Sequence, residues 1–171
     1  VERGLHYVDT TGEQAFMLHI RERYHRRAQD AGIAVVNAMA FEYVLGLCGA
    51  ERLLGELGGR ARAIRVFYEP FGGVSEGTAK SASRVLGHPA RSFRGGQLVE
   101  EASAAERRQL ELDGESRAAV SFPGGEALYV PELGEVGEVE GTVKPAGEPR
   151  EAPLLVGHPI AIACRIQELL P

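Results

Sequence analysis

The sequence predicts an α/β (α+β) protein in which a parallel βαβ unit joins a mixed, strand-rich body. Three observations lead there. An apolar run, an amphipathic helix and a second apolar run follow one another with short loops over residues 5–37. A second helical stretch is closed by Gly58-Gly59. From residue 61 onward short strand-like segments recur between Gly, Pro and Asp.

Leu5–Asp9 is a β-prone run that ends in the polar loop Thr10-Thr11-Gly12-Glu13. Over Phe16–Ala31, Phe16, Met17, Ile20, Tyr24 and Ala28 recur at helical spacing, with Arg21, Arg23, Arg26 and Arg27 mostly opposite. Gly32 stops this helix as a C′ glycine does. Ile33–Asn37 is continuously apolar until its last residue, the pattern of a strand covered on both faces. Strand, helix and strand joined by short loops give parallel pairing.

Phe41–Leu57 reads as the second helix, with Val44, Leu45, Leu47, Cys48, Leu53, Leu54 and Leu57 as its apolar surface. Ala61–Glu69 alternates Ile64, Val66 and Tyr68 against Arg62, Arg65 and Phe67, a half-buried strand. Ser75–Leu86 is helical with Ser75 as N-cap. Gln97–Glu101, Arg108–Leu112, Arg117–Phe122, Ala127–Val130 and Val136–Val143 are strand candidates in an antiparallel or mixed arrangement. Glu148–Pro153 is a loop, and Pro159–Leu170 is expected to be a closing helix with Ile160, Ala163, Ile166, Leu169 and Leu170 apolar. The seam between front and body falls near Met39–Glu42.

Composition narrows the function classes. The 171 residues suffice for a core without disulfide or metal staples. A formal charge of −5 argues against a general nucleic-acid binder, and no apolar run approaches a membrane span. Two cysteines, Cys48 and Cys164, make no disulfide framework, so a reducing cytoplasm is expected. His6, His19, His25, His88 and His158 show no metal-ligand spacing, and no metal is expected. The chain opens on Val1, and Val1–Gly4 read like the end of an earlier helix, so a longer parent protein is expected.

Two motifs suggest chemistry that the surrounding residues do not support. Gly73-Val74-Ser75-Glu76-Gly77 matches the nucleophile elbow of serine hydrolases, and Ser75, Asp113 and His158 follow the matching triad order. The elbow needs its serine directly on the strand-to-helix turn, however, and Pro70-Phe71-Gly72 intervene. Gly72–Gly77 also resembles a phosphate loop, but Thr78-Ala79 stand where a Lys followed by Ser or Thr is required. The loop Thr10–Glu13 is better placed, since it leaves the carboxyl end of a parallel strand, where ligands bind open α/β sheets.

Gly4-Leu5-His6-Tyr7-Val8-Asp9-Thr10-Thr11-Gly12-Glu13 resembles the G-x-x-Y-x-D-x-T-G-E stretch of saccharopine dehydrogenase-like proteins, which include the trans-acting enoyl reductases. Ala40-Phe41-Glu42-Tyr43-Val44 is similar to that family's crossover into its second domain. Gly73–Ser81 is similar to its G-x-S-x-G-T-x-x-S helix start, and Phe122–Ala127 to a turn of the same domain.

The resemblance implies that residues 1–40 are the C-terminal part of a Rossmann-type, dinucleotide-binding domain. It implies that residues 41–157 are a mixed substrate and dimerisation domain with helices on one face, closed by residues 158–171. It further implies an oxidoreductase using NADP or NAD on a small-molecule substrate, as a homodimer. Tyr7, Asp9, Thr11, Gly12 and Glu13 would lie near the cofactor, Glu42 and Tyr43 would be catalytic, and Phe41, Ser75, Gly77 and Thr78 would face the substrate.

Two departures stand out. No G-x-G-x-x-G fingerprint occurs in this chain, and Leu45 and Leu47 stand where the family's crossover has Pro and Asp. Saccharopine itself is therefore not the expected substrate. The alternatives are a non-catalytic truncated homologue that dimerises or binds a ligand and, more remotely, the serine hydrolase on Ser75.

Overall fold

A computed structural model describes residues 1–71, 88–112, 114–122, 124–145 and 161–169, together with Glu76, Lys80, Ser83 and Val85. At positions 41, 42, 70, 71, 112 and 161–169 it describes the backbone alone. The front of the chain is the predicted βαβ unit. Strands β1 (Tyr7–Val8) and β2 (Val35–Val36) pair in parallel, Tyr7 opposite Val35 and Val8 opposite Val36. The ladder is shorter than the apolar runs suggest, but Tyr7 N–H donates to the Ala34 carbonyl and Asp9 N–H to the Val36 carbonyl at its two ends.

Helix α1 (Gln14–Asp30) connects them and buries Gln14, Met17 and Ala28. Gly32 follows at φ +61°, a left-handed conformation that suits glycine. Phe16, expected on the inner face, is exposed, and the unexpected Gln14 is buried instead.

Helix α2 (Phe41–Glu56) packs on β3 (Arg60–Phe71). Ala50 and Leu54 meet Ile64, Val66 and Tyr68, with Val130, Val136 and Val139 completing the core. The buried line of α2 runs through Tyr43, Gly46, Ala50 and Leu54, so Leu45 and Cys48, expected inside, are exposed. Gly46 explains the rotation. A methyl group there would stand 2.5 Å from the Tyr68 hydroxyl and 3.2 Å from Val66, so only glycine lets the helix come this close.

Strand β3 is the spine of the main sheet. On one side β8 (Glu135–Val143) pairs with it in parallel, and on the other β9 (Ala161–Leu169) pairs antiparallel. Beyond β8 lie β4 (Ala90–Arg94) and β5 (Gln97–Glu101), giving the order β5-β4-β8-β3-β9. The β4–β5 turn places Gly95 and Gly96 at φ +57° and +82°, as a two-residue hairpin of this hand requires. The hairpin of β6 (Arg107–Leu112) and β7 (Glu115–Ser121) joins β8 through Val120 and Ser121.

Two expectations are corrected, and one strand is new. Residues 127–130 are not a strand: Glu126–Tyr129 form a short helix, α3, and Val130–Glu132 a 3₁₀ turn. A four-residue apolar run does not distinguish strand from helix by itself. The closing helix expected over 159–170 is not formed by its described residues, since Ala161–Leu169 are β9. The apolar spacing there also fits a period of two, and β-branched Ile162 and Ile166 suit a strand pairing along the open edge of β3. Strand β4 is an element that the sequence reading does not contain; its charged residues hide an inner line formed by small Ala90 and Ser92. Of the expected helix 75–86, Glu76, Lys80, Ser83 and Val85 are helical.

β3 is also buried on the face expected to be polar. Arg65, Phe67 and Glu69 are all covered, and Phe67 packs on Leu110 and Ala119 of the β6–β7 hairpin. The charges on this face are paired. Glu140 accepts a hydrogen bond from Arg65 Nε at 3.2 Å and lies 3.4 Å from Arg108 Nε. Arg108 also pairs with Glu106, which pairs with Arg94 at 2.8 Å. Burial opposes the charge on Arg94, but Glu101, Glu106, Glu140 and Glu138 outweigh it and hold the guanidinium above its ordinary pKa. Glu69 pairs with Lys144 at 2.8 Å.

Removing one partner from such a buried set leaves an uncompensated charge. Glu140→Gln is expected to lower stability by about 3 kcal/mol, read as a shifted midpoint in urea unfolding.

Candidate functional site

The carboxyl ends of β1 and β2 lie side by side, and both chains turn away there. One enters the loop Thr10–Glu13 and α1; the other enters Asn37–Ala40 and α2. Asp9 holds the two turns together. Its Oδ1 accepts from the Thr11 N–H at 3.0 Å and the Ala38 N–H at 3.2 Å, and its Oδ2 accepts from the Asn37 side-chain amide. A carboxylate offers about four acceptor positions, and these donors occupy three of them. The nearby Tyr7 hydroxyl further favours the charged carboxylate.

Burial alone would raise the Asp9 pKa. The hydrogen bonds from Thr11, Asn37 and Ala38, with the nearby Tyr7 hydroxyl, outweigh burial and hold it below the ordinary carboxylate value. The neighbouring Asp9 carboxylate, together with burial, raises the Tyr7 hydroxyl.

Ala38 sits at φ +59° with only 2% of its surface exposed. A left-handed alanine costs about 1–2 kcal/mol. It is held by its own bond to Asp9 and by the Met39 N–H donating to the Asp9 carbonyl at 2.8 Å. Thr11 Oγ1 accepts from the Glu13 N–H at 3.3 Å, and Glu13 is the N-cap of α1 through its backbone, with no side-chain cap bond.

Tyr43 lies behind this loop. It is 4% exposed and packs with Met17, Ala38 and Leu128. A methyl group at Gly12 would stand 3.2 Å from the Tyr43 hydroxyl, so the loop rests on that ring. Gln14 ties the loop to the main sheet: its Nε2 donates to the carbonyls of Arg91 at 2.8 Å and Gly124 at 2.7 Å, and its Oε1 accepts from the Arg91 N–H at 2.8 Å.

The structure therefore brings Tyr7, Asp9, Thr11, Gly12, Glu13 and Tyr43 together. Phe41 and Glu42 open α2 beside them, with only their backbone described. Ser75, Gly77 and Thr78 lie outside the described residues, as do Asp113 and His158 of the hydrolase reading.

Asn37, Ala38 and Gln14 are members of the cluster that the sequence reading does not single out. A polar residue ending an apolar strand is the one local signal for Asn37; nothing local marks Gln14. Two open clefts, of about 300 and 500 Å³, flank the ion pair of Arg21 with Glu132. The smaller reaches Asn37 and Tyr129. Burial raises the Tyr129 hydroxyl, against the opposing effect of Arg21.

No family model matches the chain. Two curated relatives from Mycobacterium tuberculosis, strains H37Rv and CDC 1551, are each named "putative trans-acting enoyl reductase". Each is 35% identical over 91 residues, covering 48% of this chain. The match spans only 21% of each relative's length. The similarity to these relatives covers about half of the chain. Among solved structures, the apo saccharopine dehydrogenase (L-Glu forming) of Saccharomyces cerevisiae aligns over 67% of this chain and 30% of its own, with a TM-score of 0.39 and 13% identity. No helix among the described residues is long and apolar enough to cross a membrane.

Because the folded pKa of Asp9 is depressed, its contribution to stability is present above about pH 4 and is lost as pH falls through the lower folded value. Asp9→Asn is expected to destabilise the protein at pH 7 and to flatten its loss of stability as pH falls below about 4, measured by denaturant unfolding at each pH. Gln14→Glu keeps the size but sets a carboxylate against two carbonyl oxygens. It is expected to cost about 2–4 kcal/mol, with the loss visible in thermal unfolding.

Proposed function

We propose that this chain is the nicotinamide-side and substrate-side part of an NAD(P)-dependent oxidoreductase of the saccharopine dehydrogenase-like type, acting on a small organic substrate. The observation that carries this reading is the Asp9-anchored loop at the carboxyl ends of a parallel strand pair, the position where open α/β sheets take ligands. The named relatives support the same class.

The loop suits the nicotinamide end of the cofactor. Its backbone is fixed from below by Asp9 and from behind by Tyr43, and Gly12 adds no side chain to the crevice. The pyrophosphate end has no counterpart here, since none of the 22 glycines forms G-x-G-x-x-G. In this reading that end is held by residues outside this chain. When bound, the nicotinamide ring supplies or accepts a hydride.

Within the site Asp9 is an anchor rather than a proton carrier, because it holds two backbone N–H groups and the Asn37 amide and stays charged below the ordinary carboxylate value. Tyr7, Thr11, Gly12 and Glu13 line the cofactor side. Tyr43, buried behind Gly12, supports the loop. That leaves Glu42, at the start of α2, as the better proton donor of the two catalytic candidates. Phe41, Ser75, Gly77 and Thr78 face the substrate, and the parent enzyme is a homodimer.

A second reading, a non-catalytic module that associates with itself or another chain, is favoured by one observation. Leu5, Tyr7, Val8 and Val36 on the β1–β2 ribbon are exposed apolar side chains.

Titration with NADPH and with NADH, followed by NMR, separates the two readings. The oxidoreductase reading expects shifts at residues 9–13 with a Kd on the order of 1 mM, about 4 kcal/mol of binding, and at least tenfold weaker binding in Gly12→Val. Unchanged spectra at saturating cofactor, together with a dimer in analytical ultracentrifugation, would instead establish the module.

A further inference from the structure

Strand β3, the start of α3 and the middle of α2 meet around a buried polar contact. Glu126 is completely buried, and its Oε1 accepts a hydrogen bond from the Tyr68 hydroxyl. The space around this pair is kept by glycines from three elements. A methyl at Gly46 would stand 2.5 Å from the Tyr68 oxygen, and one at Gly124 or Gly141 would run into Glu126 Oε2. The Tyr68 ring meets Tyr43 edge to face, with centroids 6.3 Å apart and planes at 84°. The Tyr43 hydroxyl in turn supports Gly12.

The turn that carries Glu126 is thus joined to the site loop by a line of side chains: Glu126, Tyr68, Tyr43, Gly12. A second tie is independent of the first, since the Gly124 carbonyl of the same turn accepts from Gln14, the first residue of α1. A carboxyl group is a poor choice for filling apolar space, because its burial costs more than that of a hydrocarbon of equal size. Its presence makes sense if the direction of the Tyr68 hydroxyl matters. A hydrogen bond fixes the ring's tilt and therefore the edge-on seat of Tyr43.

We propose that Glu126 and Tyr68 are positioning residues for the Thr11–Glu13 loop, acting through Tyr43. This rests on the reading of that loop as the nicotinamide-side wall. They touch neither cofactor nor substrate. They set how rigidly the loop presents its backbone.

The test is amide hydrogen exchange on the whole chain, comparing wild type with Tyr68→Phe, Glu126→Gln and Tyr43→Phe. Tyr68→Phe is expected to speed exchange at Thr11 and Glu13 at least tenfold more than at the β6–β7 hairpin. Glu126→Gln, which keeps an acceptor for Tyr68, is expected to stay within threefold of wild type. An equal rise in loop and hairpin, or no rise in the loop, overturns the proposal. If Tyr68→Phe does not fold, Tyr43→Phe decides, since it keeps the ring and removes only the oxygen beside Gly12. The same loop-specific rise supports the proposal and its absence overturns it. NADPH titration of the same proteins keeps the two claims apart. A wild type that binds no cofactor but shows the loop-specific response rejects the assignment of the loop and leaves the coupling standing. A wild type that binds cofactor without that response rejects the coupling alone.

Discussion

Strand β3 has to be covered on both of its faces, and much of the molecule follows from that requirement. Ile64, Val66 and Tyr68 demand apolar cover, which α2 supplies along the line of Tyr43, Gly46, Ala50 and Leu54. Arg65, Phe67 and Glu69 point the other way and are also buried. Two of those three are charged, so whatever covers them must bring counter-charges. β8 brings Glu140 opposite Arg65 in register, the β6–β7 hairpin brings Arg108 and an apolar patch for Phe67, and Lys144 answers Glu69. The sheet's layering is the solution to an amphipathic strand that is polar on a buried face.

That arrangement reaches the candidate site through α2. The helix can approach β3 only because residue 46 lacks a side chain, and the approach sets Tyr43 against Tyr68 on one side and Gly12 on the other. The front unit is docked rather than continuous with the main sheet. Its two strands form their own small sheet, and it is held by Met17, Ala38 and Tyr43 in one apolar cluster, by Gln14 on Arg91 and Gly124, and by Arg21 on the Leu128 carbonyl and Glu132. The Asp9 loop therefore lies where the two parts meet, between a carboxylate held by three local donors and a ring anchored in the larger core.

Elements with strong local signals are legible in the sequence. Helix α1 and its glycine stop, the parallel pairing of β1 and β2, helix α2 and strands β3, β5, β6, β7 and β8 all follow from periodicity and turn residues. The segments that read differently share a physical cause. Residues 127–130 and 161–169 are short or doubly periodic, so their state is decided by the partner available rather than by propensity: a turn capped by Gly124-Gly125 for one, the free edge of β3 for the other. In the site, Asp9, Thr11 and Gly12 stand out because they form one contiguous motif. Asn37, Gln14, Tyr68 and Glu126 do not, because their partners lie 28, 77 or 58 residues away along the chain.

The sequence by itself determined the βαβ front, the strand-rich body, the loop at the carboxyl end of β1 and a resemblance that points to nicotinamide chemistry. Each of these depends on residues near one another in the chain, where spacing translates directly into geometry. Only the tertiary structure decided that Arg65 is a core residue, that Asp9 ties Asn37 and Ala38 to its own loop, that Tyr43 is buried behind Gly12 and that a carboxyl group lies under the site. Burial and hydrogen-bond saturation are properties of what covers a residue, and that cover arrives from elements distant in sequence.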